Sequence, residues 1–295
     1  MKIRAHETFS IRKGWIHKGV KNILVYPRLF TDKNINPCDI LGIGTNMVKS
    51  LRYWMTAVGI MEQVSEGNQK VQKLTRLGEI IDEYDKYYEE DGTNWLLHYM
   101  LAKNEELATA WYWFFNIFKI NSFDKQLFVR ELSEFLHTEY DYDGSEKMLG
   151  DEFDCIIKTY CSKGKDVSPE DINECPLTDL HLIEVSDNKD YKKHTPDRDA
   201  IHPLIILAVI SEQAYISKKK EVLITDLLNK ECNVGRIFNL DRATCFYYLE
   251  QLQKGGYLEI VRTAGLDVIQ LKQQYDFYDI IVSYYQAING VNINE

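Results

Sequence analysis

The chain is predicted to be mainly α with small β-hairpins, built as two winged-helix-like units around a helical middle. Three observations predict this. Apolar residues recur at three- and four-residue spacing through most of the 295 positions. Short alternating segments near 61–74 and 257–271 form pairs joined by turn-forming residues. The order helix, turn, helix, hairpin also occurs twice, once toward each end. The divisions implied are 1–92, 93–190 and 191–295, a basic N-terminal part, an acidic middle and a C-terminal part.

The elements follow in order. Arg12–Tyr26 places Trp15, Val20, Ile23 and Leu24 on one helical side, with Lys13, Lys18 and Lys21 elsewhere. A Pro/Asn/Asp-rich loop leads to a short helix at Pro37–Leu41. Gly42-Ile43-Gly44 breaks the chain, and Thr45 stands where an N-cap hydroxyl is needed. From Asn46 to Val58 the apolar set Met47, Val48, Leu51, Trp54, Met55 and Val58 marks a buried face, ended by Gly59. Met61–Val64 and Lys70–Leu74 read as strands around the turn Ser65–Gln69.

Thr93–Lys119 is apolar on nearly every side and is expected to be central to the core. Phe123–Thr138 and Glu146–Tyr160 are amphipathic helices, and Ser162–Pro176 is polar and loop-like. Asn188–Pro203, charged and without periodicity, is the expected linker. Beyond it come helices at Ile201–Ile216 and Leu223–Lys230. Asp241 is the expected N-cap of Arg242–Lys254, with Phe246, Leu249 and Leu252 facing inward and Gly255-Gly256 closing it. A second hairpin, Tyr257–Arg262 and Leu266–Leu271, precedes a closing helix at Asp276–Ile288.

Charge is distributed unevenly. Residues 1–80 hold 13 Lys+Arg against 6 Asp+Glu, a local charge of +7 in a chain whose formal net charge is −10. Screening makes local charge matter more than the total, so a basic lobe can meet a polyanion within an acidic protein. The first helix of the core pattern supplies a suitable surface. Asn46, Lys49, Ser50 and Tyr53 form a stripe beside the buried face, with residue types that read base edges and bind phosphate. Arg52 lies off that stripe and is expected to touch a DNA strand, joining the four as a main contact. Arg12, Lys13 and Lys18 on the preceding helix, and Lys70 and Lys73 on the hairpin, are the phosphate candidates. The competing reading is a solvated helix face in a protein-binding module. The second unit is nearly neutral and is expected to pair with another protein, another copy or the core of this chain.

No catalytic constellation emerges. His6-Glu7-Thr8-Phe9 lacks the second histidine of a zinc-protease helix, and neither a phosphate-cradling loop nor a Gly-x-Ser-x-Gly elbow occurs. Cys155, Cys161, Cys175 and His181 are ligand types for zinc, but their spacing is wider than structural zinc sites use. Buried thiols are the expectation, with no metal and no cofactor. The acidic run Tyr84–Asp91 reads as a solvated helix end. The opening residues lack an apolar signal core and no run spans a bilayer, so a cytoplasmic protein without membrane contact is expected.

Five segments carry a family resemblance: HETFSIRKGWIHKG at 6–19, GIGTNMVKSLRYW at 42–54, LTRLGEIIDEYD at 74–85, GTNWLLHYMLA at 92–102 and CPLTDLHLI at 175–183. Together they resemble a bacterial domain-of-unknown-function family encoded beside phosphoadenosine-phosphosulfate-reductase-like genes. Those genes lie in phage-defence or DNA-modification islands, including the DNA phosphorothioation type. The resemblance implies a DNA-centred pathway and assigns no catalytic residue. With the basic lobe, it gives the expectation of a non-enzymatic protein that binds double-stranded DNA through an N-terminal winged helix. Its other expected partners are proteins of the same system and a second copy of itself. Two rivals are an interaction adaptor within a multi-subunit defence complex, and a sulfur-transfer or metal component using Cys155, Cys161 and Cys175.

Overall fold

The computed structural model describes residues 1–161, 175–186, 190–263 and 266–290. They are mainly helical, with small antiparallel sheets of two or three strands. The chain divides into two compact units, residues 1–114 with 118–193 and residues 115–117 with 194–295. The basic N-terminal helices and the acidic helical middle fall in the same unit. Among the described residues, no helix is long and apolar enough to cross a membrane.

In the first unit, α1 (Trp15–Val25) buries Trp15, Ile16, Gly19, Val20 and Ile23. Leu24, expected inward, is 57% exposed. The helical advance of about 100° per residue brings Ile16 and Gly19 into the buried arc and carries Leu24 out of it. Helix α3 comes close at Gly19, where a Cβ would lie 2.2 Å from the Met55 sulfur and the Met55 side chain would have to shift. Asn36 caps the short α2 (Pro37–Leu41) by accepting the Cys38 amide. Helix α3 (Thr45–Ala57) then buries Val48, Leu51, Trp54 and Met55 as expected, with Met47 half-buried. Its N-cap is Gly44, not Thr45, which is already the first helical residue.

Strands β1 (Met61–Glu66) and β2 (Gln69–Leu74) pair from Met61↔Leu74 to Glu66↔Gln69. Ser65 and Glu66 join the ladder, so the connection shrinks to Gly67-Asn68, with Gly67 at φ 59. Helix α4 (Arg76–Tyr84) has no counterpart in the sequence reading. Its cap is nonetheless of the usual kind, the Thr75 hydroxyl accepting the Gly78 amide at 3.0 Å.

The core of this unit is aromatic. Helices α5 (Asp91–Ala102), α6 (Thr109–Tyr112), α7 (Lys125–Tyr140) and α8 (Glu146–Tyr160), with a π turn at Trp113–Ile117, follow the expected order. The acidic run before α5 corrects the sequence reading, because Asp85 is buried. Its carboxylate accepts from the Glu89 and Glu90 amides at 2.9 and 3.1 Å and from the Thr93 hydroxyl at 2.6 Å. It therefore braces the entry to α5.

Residues 162–174 of the expected polar loop lie outside the described residues. Past them, a 3-10 turn (Pro176–Leu180) leads into a sheet of order β3-β5-β4, built from Ser122–Phe123, Tyr191–Lys193 and Ile183–Val185. The expected linker thus contains the central strand of a sheet. Lys193 holds it in place, its ammonium donating to the carbonyls of Phe114 and Phe118, both at 2.5 Å.

The second unit runs α9 (Pro203–Ser217), β6 (Glu221–Leu223), α10 (Ile224–Asn229), α11 (Val234–Ile237), α12 (Arg242–Lys254), β7 (Leu258–Thr263), β8 (Leu266–Leu271) and α13 (Phe277–Ile288). Helix α9 buries Leu204 through Ser211 without a break and packs against α13. Strand β6 and helix α11 are too short to register as periodicity in the sequence. Strand β6 pairs with β8 and gives a three-stranded sheet of order β6-β8-β7. Asp241 caps α12 as expected, its carboxylate accepting the Thr244 amide at 2.7 Å. Phe246 is only half-buried, and Tyr248 takes the interior position beside Leu249 and Leu252.

Candidate nucleic-acid interface

The sequence-predicted contact residues gather on and around α3, with one exception. Asn46 and Lys49 are exposed on the outer side of the helix, whereas Tyr53 is partly buried and turns its phenol toward the buried His6, Glu152 and Cys155, so two members of the expected stripe face outward. Ser50 does not join them. It is fully buried and cannot reach a phosphate. The buried arc of α3 covers about half the helix circumference, and Ser50 sits just inside its edge, next to Ala57.

Each remaining candidate has a definite environment. The Arg52 guanidinium donates to the Gln63 side chain and, at 3.5 Å, to the Phe30 carbonyl, and partial burial lowers its pKa. It braces α3 against the hairpin. The Tyr53 ring lies 5.0 Å from Trp54. Burial, together with the nearby Glu152 and Cys155, holds its phenol pKa well above the ordinary value. Arg12 lies over the rings of Phe9 and Trp15. Lys13 and Lys70 are exposed, without an ion-pair partner among the described residues. Lys73 pairs with Glu66 at 2.6 Å, and that hydrogen bond raises its pKa. Lys18 reaches the Leu41 carbonyl at 3.3 Å, which places its ammonium beside the turn that leads into α3.

That turn carries a feature of its own. Gly42, at φ 62, and Gly44 have nothing within 4 Å of the position a Cβ would occupy, so the backbone there is open. Gly44 offers no side chain, and no side chain caps the first turn of α3. Uncapped amides and the positive end of the helix dipole favour an anion at this point. The available signal was the Gly-x-Gly immediately before an apolar-periodic segment.

Beneath this surface lies a cluster with catalytic residue types. His6 Nε2 is 3.3 Å from a Glu152 oxygen, and Cys155 sits beside it. All three are buried, at 1%, 2% and 1% exposure, so no substrate reaches them. Burial and the Thr8 amide, which donates to Nδ1 at 3.1 Å, oppose a charged imidazole; Cys155 and Glu152 pull the pKa upward. The cluster works as an anchor. The Arg4 amide donates to Glu152 and the Arg4 side chain pairs with Asp151 at 2.7 Å. The Trp54 indole donates to the Phe9 carbonyl at 2.9 Å. These ties hold a segment in which Arg4, Glu7 and Thr8 all have positive φ, unfavourable for residues with side chains. Glu7, on the same segment, comes within 3.9 Å of the Lys49 ammonium.

The cysteine set does not converge as a metal site. Among the described residues, no group of three or more His, Cys, Asp or Glu side chains is placed to hold a metal ion. Cys155 and Cys175 are buried, and Cys161 donates to the Ile183 carbonyl at 3.4 Å. Burial raises the Cys161 thiol to about 12 and the Cys175 thiol further, which disfavours the thiolate that metals require.

The fold and this surface define a mainly helical protein with an open helix N-terminus in a basic segment. The chain belongs to the family described as protein of unknown function DUF4007, whose model matches residues 3–285. No curated protein matches it. Two solved structures are similar. A magnesium ion-bound SspB crystal structure aligns with a TM-score of 0.86 at 22% identity, covering 99% of this chain and 90% of that one. An SspB crystal structure aligns with a TM-score of 0.85 at 22% identity and the same coverage. At this identity the likeness is one of fold.

Proposed function

We propose that this protein is a non-enzymatic, double-stranded DNA-binding component of a bacterial phage-defence or DNA-modification system of the phosphorothioation type. In this reading residues 15–74 act as a winged helix, with α3 entering the major groove and β1–β2 as the wing. The observation that carries it is the open N-terminus of α3, with Lys18 beside the glycine turn and Asn46 and Lys49 exposed on the first two turns. Amides and lysines bind backbone phosphate, while Asn46 has the donor–acceptor pair that reads adenine. Other proteins of the same system dock elsewhere on the chain, and the protein acts in the cytoplasm.

The test is fluorescence anisotropy with short plain and phosphorothioated duplexes across a salt series. The expected result is binding whose log–log salt slope grows by roughly one per phosphate contact. Affinity unchanged by a doubling of ionic strength overturns the proposal.

One observation favours the adaptor reading. Leu24, Val25 and Tyr26 at the end of α1 are 57%, 65% and 41% exposed. Leu24 borders a groove of about 590 Å3 whose wall carries Glu79, Asp82 and Glu83. Apolar surface beside acids suits a basic, amphipathic protein segment. Lys49→Glu leaves the capture of partner proteins intact on that reading.

A further inference from the structure

The end of α9 forms one wall of a cavity of about 260 Å3 within the second unit. Lys218, Lys219 and Lys220 line it in succession. Lysines after a helix end often serve its free carbonyls. Here the carbonyls of Tyr215 and Ala214 are already taken by the amides of Lys218 and Lys219, at 3.1 and 3.0 Å. All three lysines are exposed, and among the described residues none has an ion-pair partner. Their charge is therefore available to a ligand.

The other walls narrow the class of that ligand. Tyr215 is 66% exposed at the rim. Tyr275, opposite in sequence at the end of the β-sheet, already donates its hydroxyl to the Tyr257 carbonyl at 3.0 Å, so what it offers is its ring. Gln274 adds an amide with both donor and acceptor. Ser211 also lines the cavity; it is 2% exposed, and its hydroxyl has no hydrogen-bond partner among the described residues. The hydroxyl itself lies just beneath the cavity wall, so it adds polarity to the site without being a direct contact.

We infer that this cavity binds a nucleotide, with phosphate on the lysine run and the base against Tyr215 and Tyr275. Stacking is tolerant of base identity, and lysine is a strong point charge for phosphate. The volume lies just below the roughly 300 Å3 at which small-ligand pockets begin, so the cavity takes the base, the phosphates stay outside on the exposed lysines, and a duplex is excluded. The nucleotide comes either free or as an unpaired residue of a DNA strand.

Isothermal titration calorimetry on the full chain tests this with dATP, a single-stranded deoxyadenosine oligonucleotide, inorganic tripolyphosphate and a polyglutamate peptide. Binding of dATP assigns the free nucleotide, and binding of the oligonucleotide alone assigns the strand; either supports the site. Tyr215→Ala is expected to weaken it by about tenfold. K218E/K219E/K220E is expected to abolish it while the fold is retained, read by far-UV circular dichroism, because the three side chains are exposed. Lys49→Glu, on the proposed duplex interface, leaves it intact. Equal affinity for tripolyphosphate or polyglutamate, indifference to Tyr215→Ala, loss on Lys49→Glu, or no heat from either nucleotide probe overturns the inference.

Discussion

Residues 15–74 and 203–271 share a plan of helices followed by a hairpin, yet they treat the start of the helix before the hairpin in opposite ways. Helix α3 begins at a glycine, with no side-chain cap and with lysines nearby. Helix α12 begins at Asp241, whose carboxylate accepts the Thr244 amide, and those backbone hydrogen bonds lower its pKa. Arg242 is then tied across to Asp267 on β8 at 2.8 Å. One helix start is open to an anion. The other is occupied by the protein's own carboxylate. A shared order of elements therefore says little about shared binding; the residue at the cap position and the charge around it decide.

The comparison can be broken most severely through the core beneath α3. Trp54→Ala removes a fully buried indole and its bond to the Phe9 carbonyl, and is expected to cost about 3–5 kcal/mol in urea unfolding. In the second unit the Tyr248 hydroxyl accepts the Ile201 amide at 3.1 Å. Tyr248→Phe keeps the ring and leaves that buried amide unpaired, an expected loss of about 1–3 kcal/mol. A loss from Trp54→Ala no larger than this would mean that α3 is not anchored as described.

Electrostatics comes next. Lys49→Glu is expected to weaken duplex binding by about tenfold and to reduce the salt slope by roughly one, read by anisotropy. The equivalent reversal Arg242→Glu should leave duplex affinity untouched.

The caps give the subtler tests. Asp241→Ala is expected to destabilise the protein by about 1 kcal/mol near neutral pH. Because the folded-state pKa of Asp241 is depressed, its contribution is present above the ordinary aspartate range and is lost as pH falls through the folded value. Melting curves of variant and parent should therefore converge in acid. Gly44→Asp is the reciprocal change. The backbone there, at φ −68 and ψ 161, suits a capping residue, and a Cβ meets nothing within 4 Å. Stability should rise by a few tenths of a kcal/mol to about 1, while duplex affinity falls by a similar amount as the carboxylate takes the anion's place. A rise in both would remove the α3 N-terminus from the interface.

Much of this was legible in the sequence, because local periodicity and cap chemistry depend on neighbouring residues. The helical class, α3 with its Val48, Leu51, Trp54 and Met55 face, and the Asp241 cap follow from spacing of three and four or from a single side chain, and the hairpins from alternation around turn-forming residues. The charge of +7 over residues 1–80 required only counting. Tertiary contact decided what lay at the margins of each pattern. Ser50 is buried and Leu24 exposed because both sit at the edges of their buried arcs, where the packing neighbour sets the boundary. Lys193 became a strand anchor because its partners, the carbonyls of Phe114 and Phe118, came from elsewhere in the chain, while Asp85 became a buried brace through the nearby Glu89 and Glu90 amides and the Thr93 hydroxyl once α5 turned them toward it. The polar pattern 191–193 became a strand only because β3 and β4 were there to pair with it. Sequence fixes what each segment prefers; a buried charge or a three-residue strand has no preference strong enough until its long-range partners satisfy its hydrogen bonds.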